Sequence, residues 1–235
     1  MPTISPRSIA FCPKHGTAKK PRDFVSFQSW AKSFLAFHGL GLSRRCVIDN
    51  QASPAAQRTA TLRALHDSAK IPQGDAPAVV AWVCHGQSHK IQLGWSTVNI
   101  DTLAKTLATV YGPKVRVVLY CCLAGGGPNP TGDGDFADML RDALCRAGAT
   151  ECEVTAHITA GRADYNPYCR RFDGAGSSTG GDGGYWLVNK TLLDAKGRKH
   201  PNPMWPKWVT ALKKDMRWRM PILSQEEIWQ ELASA

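Results

Sequence analysis

The stretch AVVAWVCHGQSH, residues 78–89, decides the fold. Its first half is unbroken apolar sequence, rich in valine and short. Such a run suits a strand buried on both faces, as in a parallel sheet. It ends abruptly in Cys84, His85 and Gly86. A second run, VRVVLYCCLAGGG at 115–127, has the same form and ends in Cys121, Cys122 and glycines. Two buried strands, one delivering a histidine and the other a cysteine, describe a site assembled at one edge of a sheet.

The segments around these runs alternate in type. CVID (46–49) reads as a strand and residues 54–69 as a helix. IQLGW (91–95) reads as a short strand or hairpin return. NIDTLAKTLATVYG (99–112) reads as a helix, with Asp101 at its N-cap, Leu103, Leu107 and Val110 on one face, and Gly112-Pro113 as its stop. FADMLRDALCRAG (136–148) reads as a helix capped by Asp135, and ECEVTAHITAG (151–161) as a strand containing His157. YWLV (185–188) is the last strand candidate. The predicted class is therefore α/β, a mostly parallel sheet flanked by helices. In such sheets ligands bind beyond the carboxyl ends of the strands, where His85 and Cys122 both fall.

Three regions are expected. Residues 1–42 read as a proline-rich N-terminal extension carrying one amphipathic helix, with Phe24, Phe27, Trp30, Phe34 and Phe37 at spacings of three and four. Residues 43–190 form the α/β core. Residues 191–235 read as a basic, tryptophan-rich helical segment packed on that core. There Trp205, Trp208, Trp218 and Trp229 interleave with Lys207, Lys213, Lys214, Arg217 and Arg219, and Ser224 and Glu227 have the spacing of a capping box.

Composition narrows the function classes. The chain has 43% hydrophobic and 20% charged residues, as a globular protein does. No run is long and apolar enough for a signal peptide or a membrane span, so a cytoplasmic protein without membrane insertion is expected. Eight cysteines in 235 residues do not make a disulfide scaffold, and most are expected to be reduced and buried. The net charge of +10 favours polyanionic partners, and the basic C-terminal segment is the candidate surface for them. No phosphate-binding glycine motif occurs. No Cys-x-x-Cys pair or zinc-ligand spacing exists, and Asp133, Asp135 and Asp182 lack calcium-loop spacing. No metal and no cofactor are expected.

The chemistry left is that of a thiol and an imidazole. A thiol nucleophile needs a base to raise its thiolate fraction, and the oxyanion formed on attack needs donors. His85 as base, Cys122 as nucleophile, and the backbone N–H groups of Gly86 and Cys122 as the oxyanion hole would come from two strand ends. If the second strand alternates, only one of Cys121 and Cys122 faces His85.

A hydrophobic strand ending in His85-Gly86, followed 37 residues after the histidine by Tyr120-Cys121-Cys122-Leu123-Ala124-Gly125, resembles the caspase-like cysteine peptidases. That group includes caspases, metacaspases, legumain, clostripain, gingipain and separase. The Cys-Leu-Ala-Gly loop is nearest in style to clostripain. The resemblance covers residues 43–190 and implies a caspase-like α/β/α sandwich. It also implies endopeptidase activity on protein or peptide substrates through an acyl-enzyme. Cys-x-x-Gly in the family's motif aligns with Cys122, not Cys121. The resemblance further places the substrate pocket's wall after the strand that follows the nucleophile. Arg162 and Asp164 are candidates there, with Cys121 and His157 nearby, and the glycine-rich loop 173–184 is a candidate lid or self-cleavage site. Two alternatives are kept: an inactive caspase-like fold that binds nucleic acid or an assembly partner, and an amidase or acyltransferase using the same dyad.

Overall fold

The structure, a computed structural model, describes residues 4–126, 134–157, 169–174, 184–188, 191–193 and 199–201. Its centre is a seven-stranded sheet. The strands are β1 (Ile9–Pro13), β2 (Arg45–Ile48), β3 (Val79–Val83), β7 (Arg116–Tyr120), β8 (Glu153–His157), β9 (Cys169–Asp173) and β10 (Gly184–Val188). Their spatial order is β10-β9-β8-β7-β3-β1-β2. The five strands from β2 to β8 are parallel; β9 runs antiparallel to β8, and β10 antiparallel to β9. Four helices flank the sheet: α1 (Asp23–Phe37), α2 (Pro54–Ser68), α3 (Ile100–Tyr111) and α4 (Phe136–Arg146). The predicted α/β class and mostly parallel sheet are present.

Alternation along the strands divides the core into two layers. Ile9 and Phe11, Val80 and Trp82, Val117 and Leu119, and Val154 and Ala156 pack with Leu65, Leu103, Leu107, Leu140 and Leu144 of α2, α3 and α4. Ala10 and Cys12, Val79, Ala81 and Val83, and Val118 and Tyr120 face the other way, onto Phe27, Trp30, Phe34 and Leu35 of α1. Burial on both faces is why these strands read as continuous apolar runs rather than alternating ones.

Some expectations give way. The segment expected as an extension supplies β1, an interior strand paired on both sides, and the helix that covers one face. Its apolar core, Ile-Ala-Phe-Cys, is short and lies between prolines, which masks it as a strand. Asp101 lies in the first turn of α3 while Asn99 takes the N-cap position, and Asp101 pairs with Arg146 at 2.9 Å. β9 was not anticipated. IQLGW belongs to a small three-stranded sheet made of β4 (Gly86–Gln87), β5 (Lys90–Ile91) and β6 (Trp95–Ser96). In the C-terminal segment expected to be helical, β11 (Thr191–Leu193) and β12 (Lys199–Pro201) pair antiparallel. The tryptophan-rich stretch 202–235, and Ser224 and Glu227 with it, lies outside the described residues. Among the described residues, no helix is long and apolar enough to cross a membrane.

Candidate active site

The parallel pairing of β3 with β7 matches Val83 with Tyr120, so both strands end at the same level. The next residues, Cys84 and Cys121, continue the alternation toward α2, α3 and α4. Both are buried in that layer, their sulfurs 3.5 Å apart, with the Cys121 thiol also 3.6 Å from the Trp82 carbonyl. Burial pushes the Cys84 thiol well above its ordinary range, and the neighbouring Cys121 adds to the effect. Cys121 was a candidate pocket residue. It is fully buried, and this correction follows from parity: its thiol is a core group on the face away from α1.

One residue further, the parity reverses. His85 comes to the α1 side, where its Nε2 lies 3.1 Å from an Asp23 carboxylate oxygen. The approach is ionic and lacks the alignment of a hydrogen bond. The Phe27 ring stands edge-on to the imidazole, centroids 4.9 Å apart. Asp23 and Phe27 are four apart on α1 and thus share a face of that helix. Asp23 also occupies the first turn, where a negative charge is favourable at the positive end of the helix. The His85 and Asp23 side chains both remain about one-third exposed, while the His85 Nε2 atom itself is buried.

Cys122 follows Tyr120 by two residues and is partly exposed, in contrast to its neighbour. Gly86 is pressed against its backbone. A Cβ built on Gly86 would lie 2.7 Å from the Cys121 Cβ and 2.8 Å from the Cys122 carbonyl oxygen, closer than real Cβ atoms come. The histidine strand and the cysteine strand therefore meet through a glycine that has no room for a side chain.

The loop after Cys122 is fixed on three sides. Leu123 adopts a left-handed conformation with φ +61°, a strained one for a side chain branched at Cγ, and Gly126 follows at φ +102°. The Gly125 N–H donates to the His157 carbonyl at 2.9 Å, tying the loop to the end of β8. The Ala137 N–H in the first turn of α4 donates to Ala124, and the Phe136 N–H donates to Ser88 in the turn after His85. The buried Arg141 of α4 pairs with Asp138 at 2.9 Å and Asp142 at 2.6 Å. It also donates to the Asp173 carbonyl.

His157 sits on the α1 side of the sheet by alternation. It is almost fully buried, its ring 5.8 Å from that of Tyr120. Arg162, Asp164, Asp133 and Asp182 lie outside the described residues, as does most of the loop 173–184. His89 is exposed. Among the described residues, no three His, Cys, Asp or Glu side chains gather closely enough to hold a metal ion. Sequence reading missed Asp23. Its signal was the pair Asp23 and Phe27 opening an amphipathic helix. Comparison with protein-family models gives no match, and neither does comparison with curated proteins.

Proposed function

We propose that the protein is a cysteine peptidase in which Cys122 is the nucleophile and His85 the general base and acid. The observation that carries this reading is the shared parity. His85 and Cys122 each stand two residues past the level ends of β3 and β7, one residue beyond Cys84 and Cys121, which turn into the core. The motif resemblance to caspase-like peptidases supports it independently of the geometry.

In this reading His85 takes the Cys122 proton, and the thiolate attacks the scissile carbonyl carbon. The oxyanion that forms is received by the backbone N–H groups of Gly86 and Cys122. The carbon–nitrogen bond breaks as His85 returns the proton to the leaving amine. Water, activated by the same imidazole, then hydrolyses the thioester and regenerates the thiol. Asp23 lies against Nε2, which leaves Nδ1 for the thiol and the leaving group. Asp23 is a positioning residue: it holds the ring's orientation and stabilises the imidazolium formed during attack.

The test is native labelling with limiting iodoacetamide near pH 7, read by mass spectrometry, beside hydrolysis of a quenched peptide library. The expected result is selective alkylation at Cys122 that falls at least about tenfold in His85→Ala, with hydrolysis lost in Cys122→Ala. Slow labelling spread over several cysteines and unaffected by His85→Ala would sink the dyad.

A further inference from the structure

His85 and Gly86, both used in the mechanism above, border a cleft of about 610 Å³ whose other walls that mechanism does not use. Its walls come from the segment after β1, with Thr17, Lys19 and Lys20, and from the hairpin after β3, with Lys90 and Gln92. His85 forms one end. Three lysines thus converge on a concave site. Lys19, Lys20 and Lys90 are exposed and form no ion pair among the described residues, and no described Asp or Glu lines the cleft. The Asp23 carboxylate, which does not line the cleft, lies against His85 Nε2.

The walls are built rather than loose. Gly16 is packed against the Pro21 carbonyl so closely that a Cβ has no space. Thr17 and Lys20 form a bridge, and the Lys20 N–H donates both to the Thr17 carbonyl at 3.0 Å and to its Oγ1 at 3.1 Å. On the opposite wall the Gln92 N–H donates to the His85 carbonyl at 2.8 Å, and the Phe136 N–H pins Ser88 at 2.7 Å. Lysines carried on such turns present their charge to the cleft without first ordering the backbone.

Strand order fixes which part of a substrate the cleft meets. β3 lies between β7, which carries Cys122, and β1, which carries the lysine segment. The cleft is therefore across His85 from the nucleophile. A general acid must stand next to the leaving amine it protonates. The chain on the leaving side of the scissile bond consequently runs past His85 toward β1. We infer that this cleft binds an acidic side chain, Asp or Glu, in the segment on the C-terminal side of the scissile bond. This substrate class rests on the peptidase reading for its direction, while the anion-binding site itself does not.

The experiment separates the two. The full-length Cys122→Ala protein is titrated with a fluorescein-labelled peptide carrying two adjacent Glu residues, and with its Gln counterpart, by anisotropy. Each is repeated in Lys19→Glu/Lys20→Glu/Lys90→Glu and in a control of equal net charge, Arg63→Glu/Lys105→Glu/Lys114→Glu, on α2, on α3 and in the turn that follows α3. The expected result is that the Glu peptide binds about tenfold or more tighter than the Gln peptide, and that only the cleft variant abolishes the difference. Equal binding of the two peptides, or equal weakening by both triple variants, overturns the site. Hydrolysis is then measured with the wild-type thiol on substrates with Glu or Gln placed before or after the scissile bond. Preference for Glu after the bond supports the assignment of direction, and preference for Glu before it overturns that assignment. Selective binding with no Cys122-dependent hydrolysis of any substrate leaves the anion site standing and removes the peptidase.

Discussion

Adjacent cysteines at one strand end make opposite predictions. Cys121 fills the core between Cys84 and the Trp82 carbonyl, while Cys122 is partly exposed. Cys121→Ala should keep hydrolysis within a few-fold while lowering stability by roughly 1–2 kcal/mol, the scale for emptying a small buried site. Cys122→Ala should do the reverse, with the melting curve unchanged and hydrolysis gone. Loss of activity in both, at equal stability, would contradict the assignment by parity. Gly86→Ala tests the contact between the two strands. Its methyl group has nowhere to go except into the Cys121 and Cys122 backbone, so the strand ends must part. A stability loss of about 1–3 kcal/mol, the range for overpacking, should accompany a fall in kcat. Asp23 acts one step back from the chemistry. Asp23→Asn keeps the shape and removes the charge that favours the imidazolium. The rate should fall about 10–100-fold in kcat with KM held within a few-fold, and Asp23→Glu should restore part of it. An unchanged kcat in Asp23→Asn would reduce Asp23 to a surface contact.

At the scale of elements, two helices hold the site from opposite layers. α1 brings Asp23 and Phe27 to His85, and the first turn of α4 receives the loop that leaves Cys122. α4 is anchored by Arg141, a fully buried cation paired with Asp138 and Asp142 and bonded to the end of β9. Removing one member of a buried charge cluster strands the others, at a cost of about 3–5 kcal/mol. Arg141→Met should therefore lower the urea midpoint sharply, and it should loosen protection of the Ala137 amide at the nucleophile loop in hydrogen exchange. Preserved protection there would mean that the loop does not depend on α4. These elements also show what was legible beforehand. The runs at 78–83 and 115–120 announced themselves, because strands buried on both faces are apolar at nearly every position, Arg116 at the partly exposed start of β7 being the exception. His85 and Cys122 followed, since their chemistry stands out where such runs stop. β1 was hidden by flanking prolines and β9 by charged residues in its middle. Asp23 was hidden for a different reason: its partner is more than sixty residues away in sequence, and only the strand order β3-β1 brings α1 back over His85.

At the scale of the whole molecule, the sheet works by keeping most thiols out of reach. Burial is the leading cause that pushes Cys12 up to about 12 and Cys46 up to about 11, and it raises Cys84 and Cys152 as well. Tyr111, under α3 and bonded to Ser68 at 2.6 Å, is pushed up to about 12 by the same cause. At neutral pH these groups are protonated and poor nucleophiles. The same burial makes stability depend on pH in one direction. Once unfolded, the thiols lose their protons near their ordinary value of 9.0, while the native protein keeps them until about 11 to 12. Below pH 9 both states are protonated and the full stability is present. Between 9 and 12 the native state binds more protons, so stability falls as pH rises, by about 1.4 kcal/mol per pH unit for each such group. Urea midpoints should thus be flat from pH 7 to about 8.5 and drop steeply above 9, with a shallower drop in Tyr111→Phe. A midpoint that holds steady up to pH 11 would show that these groups are hydrated in the native protein. In that case native iodoacetamide labelling would lose its selectivity for Cys122 as well, because both results rest on the same dry core.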